Sequence, residues 1–259
     1  MIESKSNQQV KYVIQLQTKA KARREEKAFV VEGPRMVQET PAHLLRKVFV
    51  SEHPTEEVMQ ALSSLDASLV EQVADPVFKT MSETVTPQGV LAIVTKPEYA
   101  PESFFQGTNG LYLILENIQD PGNLGTMLRT AEGAGVDGVI MSKDTVDLFS
   151  PKVVRSTMGS LYRMPYLISE DLHATIDEMK QRGICVYAAH LKATEFYDEL
   201  DYTKGTAFLI GNEGNGLRPE TAALASAGLK IPMAGRVESL NAAMAAGILM
   251  YEASRQRRS

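Results

Sequence analysis

The sequence predicts an α/β protein built from two successive α/β parts. Three observations carry this. Short apolar runs without alternation, such as "LYLILE" (Leu111 to Glu116) and "GTAFLI" (Gly205 to Ile210), recur between segments of helical character; strands buried on both faces of a parallel sheet read this way. The stretch "TKPEYAPESFFQGTNG" (Thr95 to Gly110) is rich in Pro, Gly and polar residues and separates two such series, as a linker does. Several later strands run directly into loops of Gly and Asn. The resulting division is a small domain over 1–96, a linker over 97–109 and a larger domain over 110–259.

In the first part a helix is expected from Ser6 to about Arg24. "AFVVEG" reads as a strand ending at Gly33, and Pro34 suits the first turn of the short helix "PRMVQET". "RKVFVS" reads as a strand, "PTEEVMQALSSL" as a helix and "SLVEQVA" as a strand, and the run from Gly89 to Thr95 supplies a further strand. In the second part, strand "LYLILE" leads through the turn Asp120-Pro121-Gly122 to a helix from about Asn123 to Gly133. "DGVIMS" is a strand and "SPKVVRSTMGS" a helix from Pro151. "DLHATIDEMKQRG" is a helix stopped by Gly183. "ICVYAA", "GTAFLIGNEG" and "GLKIPM" are strands, and "SLNAAMAAGILMYEASRQ" is the last helix. Its apolar residues at 240, 244, 247/248 and 251 define the expected core face, with Ser239 as the expected N-cap. Open α/β sheets bind ligands beyond the carboxyl ends of their strands, which points to the loops after Glu116, Ile210 and Ile231.

The totals restrict function. At 44% hydrophobic the 259 residues support a real core. No apolar run reaches the eighteen or so residues of a membrane span, and the opening "MIESKSNQQVKYVIQL" lacks the basic-then-apolar layout of a signal peptide. The single cysteine, Cys185, excludes an internal disulfide and fits a cytoplasmic protein. Four scattered histidines give no zinc spacing, so no metal is expected. The net charge of −5 speaks mildly against nucleic acid. "KAKARREEK" (Lys19 to Lys27), however, gathers five basic residues with two acidic ones: a solvated helix face, or a local phosphate-contacting edge.

Three stretches carry the candidate chemistry. In "ENIQDPGNLGTMLRTAEGAG" (Glu116 to Gly135), Asn123 falls at the cap of the next helix, and Arg129 lies six residues on, nearly two turns, roughly above the same face. Taken alone, Arg129 pairs with Glu132 at i+3. "LIGNEGNGL" (Leu209 to Leu217) matches neither the phosphate-cradling nor the dinucleotide glycine fingerprint. Glu213 amid backbone N–H groups discourages phosphate and suits a cationic or neutral ligand, or an arginine. In "IPMAGRVESLNAAMAAGILMYE" (Ile231 to Glu252), small residues allow close helix packing. A nicotinamide reductase would need a glycine fingerprint after its first strand, and "ENIQDPGNLG" does not supply it.

Together, N-x-x-D-P-x-N-x-G-x-x-x-R-T-A, G-N-E-G-x-G-L and I-P-M-x-G-x-x-x-S-L-N, in this order and each after a strand, resemble the SpoU/TrmH branch of the SPOUT methyltransferases, from about Leu111 onward. "EGPRMVQE" resembles, more loosely, the small α/β RNA-binding domain that precedes it. The resemblance implies a parallel-sheet methyltransferase domain tied in a trefoil knot, which general topology rules disfavour. It implies S-adenosylmethionine as cofactor, a homodimer with the site near its interface, and RNA rather than DNA or membrane as partner. The implied reaction is methylation of a ribose 2′-hydroxyl, in 23S ribosomal RNA ahead of transfer RNA, with a non-catalytic RNA-binding relative as the alternative. Carried over by motif position, Arg129, Asn123, Glu213, Ser239 and Asn241 are the catalytic set. Gly211, Asn212, Ile231, Met233 and Leu240 hold the cofactor. Asn117 and the basic residues Lys21, Arg23 and Arg24 contact the RNA.

Overall fold

The computed structural model describes residues 1–99, 104, 105 and 108–258. Residues 100–103 and 106–107 of the expected linker 97–109 lie outside the described residues. The chain forms two compact units, one of Met1–Glu98 with Asp147–Tyr162, the other of Tyr99–Val146 with Arg163–Ser259. The return of 147–162 to the first unit is not announced by any change in composition.

The first unit holds a four-stranded sheet of β1 (Ala28–Glu32), β2 (Leu45–Ser51), β3 (Val70–Val73) and β4 (Val90–Thr95), in the order β1-β4-β2-β3. β4 runs antiparallel to β1 and β2, while β2 and β3 are parallel. Val10, Val13, Leu16, Phe49, Phe78 and Leu91 belong to its core. The helix Asp75–Met81 follows β3; Asp-Pro at its start was the available signal, Pro being at home in a first turn.

The helix expected over 6–24 is two helices, Gln8–Thr18 and Ala20–Glu25, broken where Lys19 adopts φ −120°, ψ 109°. The break has a partner. Arg23 is only 4% exposed; its Nη1 donates to the carbonyls of Leu16 and Gln17 at 2.6 and 2.7 Å, and its Nε to Asp147 at 2.7 Å. Those carbonyls belong to the last turn of the first helix, which has no intrahelical donors for them. Arg23 therefore caps a helix and is not an RNA-facing cation, which corrects the expectation for that residue. Lys21 and Arg24 are exposed.

The second unit holds β5 (Leu111–Leu115), β6 (Gly138–Ser142), β7 (Tyr166–Ser169), β8 (Cys185–Ala189), β9 (Glu195–Phe196), β10 (Thr206–Ile210) and β11 (Ala227–Lys230), in the order β7-β6-β5-β10-β8-β11-β9. Every pairing is parallel. β5, β8 and β10 are mostly buried apolar runs, as a sheet covered on both faces requires. Tyr112, Ile114, Ala207 and Leu209 share a cluster with Ile176 and Met179 of the helix Leu172–Gln181. The helix Ala242–Arg257 packs on the helix Pro121–Ala134 and on β5 and β10. From β5 the chain builds toward β6 and β7, then crosses to β8 on the other side. The order reverses there, and such a switch point is where open α/β sheets bind ligands.

The last helix turns the opposite way from expectation. Ala243, Ala246, Leu249, Met250 and Ala253 are buried, whereas Leu240, Met244 and Tyr251 are 36%, 60% and 48% exposed. Both faces are apolar, so periodicity did not discriminate between them; the alanine face gives the closer approach to a neighbouring helix.

Arg23→Met should lower unfolding stability by about 3 kcal/mol, because it strands Asp147 and two helix-end carbonyls. Lys21→Ala and Arg24→Ala should stay within about 0.5 kcal/mol of the parent. Chemical denaturation of the three variants checks this.

Candidate functional site

At the carboxyl ends of the second sheet lies an open cleft of about 710 Å³, lined by Gln119, Asp120, Asn123, Asn212, Glu213, Gly214, Ser239, Leu240, Asn241 and Ala242. These residues come from the three expected loops. Six of them (Asn123, Asn212, Glu213, Ser239, Leu240, Asn241) were expected in the site.

The first loop begins where β5 ends. Asn117 adopts φ +54°, a left-handed conformation that asparagine tolerates better than most residues. Its N–H donates to Ser142 Oγ at 2.8 Å, and its side-chain oxygen accepts from Gln119 Nε2 at 2.6 Å. The cap of the following helix is Asp120, not Asn123: its carboxylate accepts the Asn123 N–H at 2.8 Å, and Pro121 opens the helix. Asp directly before Pro was the sequence signal for this.

The second loop closes on itself. Asn212 and Gly216 exchange backbone hydrogen bonds of 3.0 and 2.9 Å, and the Asn212 side-chain oxygen accepts the N–H groups of Gly214 and Asn215 at 3.0 Å each. The turn brings backbone against Gly211, where an added Cβ would sit 2.3 Å from Gly216 C and Leu217 N. Gly211 is thus required by its own loop. Asn212 Nδ2 donates to the Asn117 carbonyl at 2.8 Å, joining the second loop to the first.

Glu213 completes that join. Its carboxylate accepts the N–H groups of Gln119 and Asp120 and the Asn123 amide, each at 3.0 Å. Burial opposes its ionisation, but these donors outweigh it and hold the carboxyl below its ordinary 4.5. Glu213 therefore bonds to backbone amides and to Asn123 rather than to an arginine. Asn123 Oδ1 in turn accepts from Asn241 Nδ2 at 2.9 Å, bringing in the third loop. Asn241, not Ser239, is the N-cap of the last helix: its Oδ1 accepts from Ala243 and Met244 N–H at 2.9 and 3.2 Å. Ser239 is exposed on the cleft wall.

Other expected residues fall outside the cleft. Ile231 and Met233 are half-buried in the run between β11 and the last helix, and neither they, Gly211 nor Asn117 line it. Arg129 is exposed and its side chain has no ion pair or hydrogen bond among the described residues. Glu132, its anticipated partner, pairs with Arg163. Six residues turn a helix by about 600°, which leaves Arg129 about 120° round from Asn123 rather than on its face. Sequence reasoning missed Gln119, Asp120, Gly214 and Ala242 as lining residues.

Glu52, His53 and Asp75, on the first unit, bring ligand-type atoms within 4.8 Å of one another. There His53 Nδ1 and Asp75 Oδ2 form a hydrogen bond of 2.8 Å, which becomes an ion pair when the imidazole is protonated.

A parallel sheet whose carboxyl-end loops close a cleft at the switch point, with a fixed anion in its wall, defines an α/β domain that holds a small cationic or neutral cofactor. Comparison with known proteins makes the class specific. Residues 110–251 match the SpoU rRNA Methylase family and residues 7–92 match the MRM3-like substrate binding domain; the chain belongs to the SpoU rRNA methylase family. It is 35% identical, over 96% of its length and 97% of the relative's, to the 23S rRNA (guanosine(2553)-2'-O)-methyltransferase RlmP of Bacillus subtilis strain 168. An S-adenosylmethionine-bound rRNA methyltransferase from Sinorhizobium meliloti superimposes with a TM-score of 0.85 at 32% identity, covering 98% of this chain and 97% of that one. The SpoU methyltransferase AviRb of Streptomyces viridochromogenes, in complex with the same cofactor, superimposes with a TM-score of 0.87 at 26% identity, covering 97% and 99%.

The family uses S-adenosylmethionine, and the cleft fits it. Its volume lies within the roughly 300–1,000 Å³ of small-molecule sites, and the ionised Glu213 suits a ligand that carries a sulfonium and an ammonium group.

Ser239→Ala should leave unfolding stability within about 0.5 kcal/mol of the parent, whereas Asn241→Ala should cost about 1 kcal/mol through the lost cap. Thermal unfolding of both variants decides which residue caps the helix.

Proposed function

We propose that this chain is an S-adenosylmethionine-dependent RNA methyltransferase that methylates a ribose 2′-hydroxyl in 23S ribosomal RNA. The supporting observation is the likeness to the Bacillus subtilis enzyme, which runs through both units. Arg129, Asn123, Glu213, Ser239 and Asn241 serve the chemistry. Asn212 and Leu240, on the cleft wall, contact the donor, and Gly211, Ile231 and Met233 serve it by shaping the loops that carry them. Residues 1–96 and 110–259 act as RNA-binding and methyltransferase domains in the cytoplasm. A trefoil knot in the C-terminal part belongs to the same reading, supported by the insertion of β10 between β5 and β8. Among the described residues no helix is long and apolar enough to cross a membrane.

When bound, the donor supplies a methyl group on a sulfonium whose sulfur departs as a neutral thioether, so no acid is demanded of the protein. The protein's task is to hold a ribose hydroxyl in line and to ease charge onto its oxygen. Arg129 cannot take the proton, because a guanidinium offers only N–H donors and no acceptor lone pair. Its charge, unpaired among the described residues, instead binds an RNA phosphate and stabilises the developing alkoxide, the proton leaving to phosphate or water. Asn123, Asn241 and Glu213, already bonded to one another, keep the three loops in register. Asn117 acts through its carbonyl on Asn212. Ser239, on the cleft wall, faces the ribose. Lys21 and Arg24 contact RNA phosphates.

The protein works as a homodimer through the exposed apolar face of Val237, Leu240, Met244 and Tyr251, since apolar patches of this kind mark interaction surfaces. Tyr251 lies over Gly133, one turn from Arg129, so dimerisation brings Arg129 to the interface.

Incubation of undermethylated 23S rRNA with the protein and labelled donor should yield one 2′-O-methyl group; no transfer to rRNA would overturn the reading. Arg129→Ala should lower the single-turnover rate by about 10²-fold, with Arg129→Lys intermediate; a near-normal rate for Arg129→Ala removes its chemical role. Met244→Glu should shift sedimentation from dimer to monomer.

A further inference from the structure

The cleft described above is held from beneath by groups that do not line it. We infer that Glu116, Arg218 and Asp144 form a charge clamp that positions the Gly211–Leu217 loop for the methyl donor, with Arg218 as the positioning residue that couples three strand ends. The inference rests on the function proposed above.

Glu116 is 1% exposed at the end of β5. A buried carboxylate is costly unless paired and fully hydrogen-bonded, and this one is both. It accepts the Arg218 N–H at 2.9 Å, the Thr221 hydroxyl at 2.6 Å and the Arg218 guanidinium at 3.5 Å. The other terminal nitrogen of Arg218 pairs with Asp144, in the loop after β6. Asp144 accepts from the Ser142 hydroxyl, and Ser142 Oγ accepts the Asn117 N–H at 2.8 Å. The Asn117 carbonyl accepts from Asn212 Nδ2 at 2.8 Å. Gln119 Nε2 also reaches the Asp144 carbonyl, at 2.8 Å.

The circuit begins and ends on the same loop. Asn212 at its start and Arg218 just past its end are both tied to consecutive residues of one strand end, Asn117 and Glu116. Asn212 itself and, between the two ties, Glu213 and Gly214 form cleft wall. Pairing with Asp144 strengthens the protonation of Arg218. Burial opposes ionisation of Asp144, but Ser142 and Arg218 outweigh it and hold its carboxyl below the usual range. Only a planar fork bridges two carboxylates on different loops in this way, and a lysine offers a single point charge. The Arg218 side chain is itself 45% exposed, so its removal leaves the apolar core intact. Without the guanidinium, Glu116 keeps the N–H of residue 218 and the Thr221 hydroxyl, so the loss of the charge pair lowers stability and loosens the loop together.

The test measures S-adenosylmethionine affinity by calorimetry, kcat at saturating donor, and amide exchange over 212–217 in the free protein. Arg218→Ala should weaken donor binding about tenfold, or about 1.4 kcal/mol, with kcat within about twofold and faster exchange confined to the loop. Arg218→Lys should recover only part of the affinity. Glu116→Gln keeps the neutral hydrogen bonds, since the Thr221 hydroxyl can reverse, and loses the charge; it should weaken binding about threefold. In the Arg218→Ala background it should add nothing, as expected of two members of one unit. Unchanged affinity and exchange in both single variants overturns the inference, as does a loss confined to kcat. If Arg218→Ala fails to fold, Glu116→Gln and Arg218→Lys decide by the same readings. A parent protein that binds no donor at all sinks the proposed function instead, while loop exchange still judges the clamp.

Discussion

The parallel pairing of β10 with β5 is the constraint on which the site depends. The two strands match residue for residue from Thr206 opposite Leu111 to Ile210 opposite Leu115. They therefore end at the same level, and the loops that follow leave side by side. A slip of one residue would invert every side chain of a strand buried on both faces and would separate Glu213 from the amides of Gln119 and Asp120. The ladder even continues one step past the strands, where the Glu116 N–H donates to the Ile210 carbonyl at 2.9 Å. The apolar burial of the sheet thus determines where polar loop atoms meet.

Given that register, one carboxylate organises the upper surface and another the lower. Glu213 collects the N–H groups at the start of the helix Pro121–Ala134, where the helix dipole also favours an anion. Glu116, one layer down, collects the start of the short helix Pro219–Ala222 through Arg218 N–H and the Thr221 hydroxyl. Each acid satisfies orphan donors at a helix N-terminus, and each does so from a different loop. Two of the three asparagines at the cleft, Asn123 and Asn241, then link the remaining loop without adding charge. The cleft keeps two carboxylates in its wall, Asp120 and Glu213, and the positive charge of Arg129, unpaired among the described residues, stands outside it on the helix Pro121–Ala134.

Much of the fold was legible in particular runs. "LYLIL", "GVIMS" and "TAFLI" are strands because continuous apolar residues of that length have no other good use between helices. The three ligand loops followed from the sheet rule alone. Legibility failed where two local solutions were close in energy or where a partner is distant in sequence. "YLIS" became the edge strand β7 although it is only half-buried and carries no strong pattern. Ser239 and Asn241 are both good caps, and the link to Asn123 favours the second. Arg23 looked like a member of a basic run because its partners, the carbonyls of Leu16 and Gln17 and the carboxylate of Asp147, are invisible to local composition.

The sequence by itself determined the class of fold, the order of its elements and the three stretches that build the cleft, because apolar periodicity, proline and glycine act over a few residues. Tertiary structure decided which polar groups have partners and which are free: Arg23 buried and Arg129 exposed, Glu213 on backbone amides, Glu116 beneath the loop, and the alanine face of the last helix turned inward. A charge or a hydrogen bond takes its role from the atom opposite it, and that atom lies most often on another strand end, tens of residues away.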